Sequence, residues 1–192
     1  MNKIFSKSML VFSGLFFAIA ATRYHHFGSI THLPDASLAV FFLAGFLLQQ
    51  KIVFPILLMQ AGMIDYFAIT AGGSSDWCVT SAYWFLIPAY GSLWLAGRWY
   101  ASVHRTEWKT ILLLFGALFI GASLAFLISN GSFYWLSGRY PDPIWSQYIE
   151  RFVMYYPSYL SSAFLYVGFF VVLMLGIHAL KSINKSKPAT GG

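Results

Sequence analysis

Six stretches of the chain run with no acidic or basic side chain, or with one. They are 8–22, 36–50, 52–70 (broken only by Asp65), 77–97, 110–138 and 152–180. A hydrocarbon core ~30 Å thick needs ~20 apolar residues per helix. Lipid offers no partner to an unpaired backbone N–H or C=O, so an apolar run that crosses it forms a helix. The pattern predicts one domain of six transmembrane helices at about 8–22, 36–50, 52–70, 78–97, 111–129 and 159–180. The last two stretches exceed one span, and the excess predicts a long loop over 130–158. The first two helices are short. Snorkelling of Lys7, Arg23 and Lys51, or local bilayer thinning, accommodates them. Lys3 and Lys7, the apolar run and then Ala18-Ile19-Ala20 also have the order of a cleavable signal peptide. Cleavage there would leave the remaining topology unchanged.

Composition agrees with the pattern. Of 192 residues, 58% are hydrophobic and only 9% charged, where soluble domains carry about a quarter. So few charges cannot cover a water-facing surface, and disorder needs low hydrophobicity. The expectation is an all-α integral membrane protein whose solvent is the lipid bilayer. The net charge is +6, but the 12 basic residues form no dense run, so no nucleic-acid footprint is expected. They fall between the apolar stretches, where they orient the chain. Lys3, Lys7, Lys51, Arg98, Arg105, Lys109, Lys181, Lys185 and Lys187 share one side; Arg23, Arg139 and Arg151 share the other. The positive-inside rule puts the nine, and both termini, in the cytoplasm. The expected outer face then comprises loops at 23–35, 71–77 and 130–158.

Some chemistry is excluded outright. Cys78 is the one cysteine, so neither an intramolecular disulfide nor a CxxC dithiol exists. No GxxxxGK[ST] loop occurs, so no nucleotide site of that kind is present.

Four features on the expected outer side carry chemical potential. Asp65 lies inside a span; intramembrane carboxylates are costly and usually face the bundle interior. It is a ligand contact, an ion site, a structural hydrogen-bond partner of a neighbouring helix, or a residue close enough to the interface to hydrate. Cys78 opens helix 4, where the helix terminus favours the thiolate, a soft metal ligand or a nucleophile; Asp76 opposes that, and a buried inert thiol is the ordinary alternative. His25, His26 and His32 supply imidazole, the commonest metal ligand, or simply a polar surface. Tyr83 follows Cys78 by five residues, roughly 140° away around a helix; the two share no tight face, and spacing favours an interfacial aromatic, though both can line a wide pocket. On the opposite side, His104 and His178 read as interfacial residues. Gly14 and Ala18 form a small-xxx-small pair that suits close helix approach, either within the bundle or against a partner protein.

The run Leu33-Pro34-Asp35-Ala36-Ser37-Leu38-Ala39-Val40-Phe41-Phe42-Leu43-Ala44-Gly45, with His26 before it, Asp65 in helix 3 and the Cys78 to Tyr83 spacing, resembles the BtuM family. These are small bacterial inner-membrane proteins for cobalamin uptake, similar to the substrate-binding S-components of ECF-type vitamin transporters. The resemblance covers essentially the whole chain. It implies an S-component-like six-helix bundle in the cytoplasmic membrane, with a corrinoid pocket open to the outside. Cys78 would be the axial cobalt ligand, with His26, Asp65 and Tyr83 as further pocket residues. Ser74, Ser75, Thr80 and Ser81 could meet the corrin amides, and Trp77, Tyr83 and Trp84 the flat apolar ring. The resemblance also implies that helix 1 is retained, and that an energising module docks on Gly14/Ala18 unless the protein works alone. The expected role is transport of cobalamin or a related corrinoid. Removal of an upper cobalt ligand is a side chemistry that thiolate coordination would permit. Two other classes fit the residues without the resemblance: a membrane enzyme with Cys78 as nucleophile and a histidine as base, and a metal-ion carrier using the three loop histidines and Asp65.

Overall fold

The computed structural model describes residues 2–23, 33–48, 50–72, 76–77, 79–105, 107 and 109–186. Six α-helices account for most of them: α1 (Asn2–Arg23), α2 (Ser37–Leu47), α3 (Val53–Thr70), α4 (Leu86–Val103), α5 (Lys109–Leu136) and α6 (Trp145–Ser186). A 3-10 turn, Ser81–Phe85, leads into α4. No strand occurs among the described residues. Among the described residues, three helices are long and apolar enough to cross a membrane: Val53–Thr70, Lys109–Leu136 and, within α6, Trp145–Ser182. These carry the features of a helical membrane protein. Large apolar side chains such as Leu10, Phe17, Met59, Leu112, Ile120, Phe169 and Val172 lie on the outside, a surface that water would disfavour and lipid accommodates.

Helix α2 is the centre of the bundle. Every residue from Ser37 to Gly45 is buried, so it carries no polar face. It packs chiefly on α4, which in turn packs on α5. Glycines permit the close approach. A Cβ at Gly45 would overlap the Trp94 carbonyl, and one at Gly97 would overlap the Phe42 carbonyl. At Gly121 it would lie 2.8 Å from the Ala96 Cβ. Aromatic rings then fill the remaining space: Phe41 stacks on Tyr90 at 4.3 Å, and Phe115 on Phe164 at 5.7 Å. Gly14, by contrast, lies on the exposed side of α1, with open space where a Cβ would stand.

The element bounds differ from the sequence expectation in an informative way. Helix α2 stops at Leu47, and Leu48 is already extended, so the expected helix at 36–50 is trimmed to 11 residues. The expected helix at 78–97 is displaced: α4 begins at Leu86 and continues through Arg98 to Val103. Its start is set by the 3-10 turn, capped where Thr80 Oγ1 accepts from the Ala82 N–H at 3.2 Å. Pro88 is tolerated there because a first-turn N–H has no intrahelical acceptor. Most of the expected loop at 130–158 is helical; only 137–144 lies between α5 and α6. Asn130, Gly131 and Ser132 do not end α5. Ser132 Oγ donates to the Ser129 carbonyl at 3.1 Å, and Gly131 faces the Tyr148 hydroxyl. Pro157 likewise sits inside α6. A charge-free window marks what can lie in lipid, whereas a helix ends where its backbone bonds end. At 1.5 Å per residue the 42 residues of α6 extend ~63 Å, about twice a hydrocarbon core.

Candidate functional site

Helices α1 and α3 end where α2 and the turn before α4 begin. At this end of the bundle a single guanidinium joins four helices and the 3-10 turn. Arg23, the last residue of α1, forks onto Asp65 of α3: Nε donates to Oδ1 at 2.8 Å and Nη2 to Oδ2 at 2.7 Å. Nη1 faces three acceptors, Tyr90 Oη of α4 at 2.7 Å, Ser37 Oγ of α2 at 2.9 Å and Asp35 Oδ2 at 3.2 Å. Tyr83 Oη in the 3-10 turn donates to Asp65 Oδ2 at 2.7 Å. Arg23 is 4% exposed and Asp65 7%. A planar fork matched to a carboxylate is the geometry that guanidinium recognises best.

The local sequence builds each part. Asp35 precedes α2, and its Oδ1 accepts from the Ser37 N–H at 2.9 Å and the Ser37 hydroxyl at 2.6 Å. This satisfies an orphan donor of the first turn and places negative charge at a helix N-terminus. Thr22 Oγ1 accepts from the Ala36 N–H at 3.0 Å and donates to the Ala18 carbonyl at 2.8 Å. The end of α1 is thereby stitched to the start of α2. Lower down, Gln60 Nε2 donates to the Phe16 carbonyl at 2.7 Å, tying α3 to α1.

Of the four residues singled out for a pocket, Asp65 and Tyr83 are brought into direct contact. Cys78 and His26 lie outside the described residues, as do His25, His32, Ser74 and Ser75. The other residues expected beside Cys78 have partners of their own. Thr80 caps the 3-10 turn, and Ser81 Oγ donates to the Leu136 carbonyl at 3.0 Å. The Trp77 ring lies under the Arg139 guanidinium at 4.6 Å, and its carbonyl accepts from Arg139 Nε. Trp84 is exposed. His104, at the far end of α4, meets the Tyr100 hydroxyl at 2.8 Å. A separate apolar groove of about 470 Å³ lies between the start of α4 and the last turns of α5, lined by Phe85, Pro88, Leu127 and Trp135 among others.

Arg23, Asp35, Ser37 and Tyr90 were not identified as site residues from the sequence. The sequence pattern marks Arg23 only as a topological and snorkelling charge. The signal was present nonetheless: a carboxylate inside a span requires a donor, and Arg23 is one of three basic residues expected on its side. Among the described residues no three His, Cys, Asp or Glu side chains gather as a metal site. No protein-family model matches this chain, and no curated protein matches it.

Proposed function

We propose that this protein binds cobalamin or a related corrinoid at the outer end of a six-span bundle and takes part in its uptake across the bacterial inner membrane. Both termini lie in the cytoplasm in this reading. Cys78 supplies a thiolate to cobalt, and His26, Asp65 and Tyr83 line the pocket. The observation that supports it best is the 2.7 Å contact between Tyr83 and Asp65, 18 positions apart in the chain. Two residues that the BtuM resemblance assigns to one pocket meet at one end of the bundle, and Cys78 precedes Tyr83 by five residues. Thiolate is a soft donor suited to cobalt. The exposed Gly14, with no neighbour over its Cα, leaves room on α1 for the docking of an energising membrane module beside Ala18.

The test is optical. Protein purified from cells given cobalamin carries a visible corrin spectrum at one cobalt per chain, and Cys78→Ser shifts that spectrum while retaining weaker binding. Protein that purifies without corrinoid and takes none up in detergent overturns the proposal. An identical bound spectrum in Cys78→Ser removes the thiolate from cobalt but leaves the pocket.

A further inference from the structure

The Arg23 network has an inside and an outside. Arg23, Ser37, Asp65 and Tyr90 are buried, whereas Asp35 and Tyr83 keep part of their surface open. The hydrogen-bond directions determine what those two present. A guanidinium has donors and no acceptor, so both oxygens of Asp65 accept from Arg23. Tyr83 has one hydroxyl proton, and it is committed to Asp65 Oδ2. The capacity left on Tyr83 Oη is its lone pairs. Asp35 accepts from Arg23 and from Ser37, and a carboxylate likewise offers a ligand only acceptors. We infer that the network makes this end of the bundle an acceptor surface, one that takes a ligand's primary amide N–H at Tyr83 and Asp35 and rejects a carboxylate in the same place.

This inference rests on the corrinoid reading, and deepens it. The corrin rim carries primary amides, each of which becomes a carboxylate on hydrolysis with nearly the same shape. An N–H replaced by an anionic oxygen turns a hydrogen bond into a lone-pair clash, with the site's acceptors left unpaired. In this assignment Arg23 is a positioning residue: it orients Asp65, and Asp65 fixes the direction of the Tyr83 hydroxyl.

The experiment compares cobalamin with its monocarboxylic acids, each lacking one peripheral amide, on detergent-purified full-length protein by visible titration. At least one monoacid should bind the parent protein ~10-fold to 100-fold more weakly than cobalamin. Tyr83→Phe removes the acceptor with little change of shape, and Asp35→Asn adds an N–H donor. Narrowing of that monoacid's penalty by ~5-fold or more in either variant supports the inference, since loss of a merely structural contact would weaken both ligands alike. A penalty that is absent in the parent, or unchanged in both variants, overturns the inference while the corrinoid reading stands. Absence of any corrinoid titration in the parent overturns both.

Discussion

Removing one member of the Arg23–Asp65 pair is the most demanding test of the architecture. Breaking a buried ion pair costs about 3–5 kcal/mol, because the surviving charge is left without its partner. The two single substitutions should not be equal. Asp65→Asn leaves Arg23 with Asp35 at 3.2 Å and keeps one acceptor for the fork, so it belongs near the lower limit, about 3 kcal/mol. Arg23→Met removes the guanidinium from which both Asp65 and Asp35 accept, leaving them, among the described residues, hydroxyl donors and the Ser37 N–H, and belongs near about 5 kcal/mol. The double replacement Arg23→Met with Asp65→Leu removes both charges and should cost less than the sum of the single effects, by about 2 kcal/mol or more. Thermal unfolding in detergent, followed by tryptophan fluorescence, reads these values. At about 2–4 °C per kcal/mol for a chain of this size, the Arg23→Met shift is about 10–20 °C. If Arg23→Met unfolds within a degree or two of the parent, or the single effects simply add, the buried pair is not what joins α1 to α3.

Gly97→Ala should destabilise by about 1–3 kcal/mol in the same assay, because the added methyl meets the Phe42 backbone. Gly14→Ala, with open space at its Cα, should be neutral or stabilising by up to about 1 kcal/mol; equal losses at both positions would contradict the close approach of α2 and α4. Tyr134→Phe should loosen the 137–144 corner. Its hydroxyl accepts from the Ile144 N–H at 2.9 Å and can donate to Gln147 Oε1 at 2.7 Å; a loss of about 1–2 kcal/mol with faster proteolytic cleavage at the corner is expected, and unchanged cleavage would count against it. Reporter fusions after Leu180 should read cytoplasmic and those within 71–76 external, following the nine-to-three basic bias; a C-terminal fusion reporting the outside would reverse the faces.

The sequence alone determined that the chain is helical, apolar on its outside and organised around six segments. Those features follow from composition and from the demand of lipid for paired backbone, and both are local properties of a string of residues. It also marked Asp65 as chemically unusual, whereas Tyr83 read from spacing alone as an ordinary interfacial aromatic. It did not determine helix ends, since charge-free windows report solvent preference: α5 begins on Lys109, and α6 carries Glu150, Arg151 and Pro157 within it. Nor did it show that the cation counted as a loop charge is buried against the carboxylate 42 positions later. Pairing of Arg23 with Asp65 depends on α1 and α3 ending side by side, and these two helices pack directly and are tied by the Gln60–Phe16 bond. Only the tertiary structure brings those distances to hydrogen-bonding range, because a contact between distant residues is a property of the packing and not of either residue.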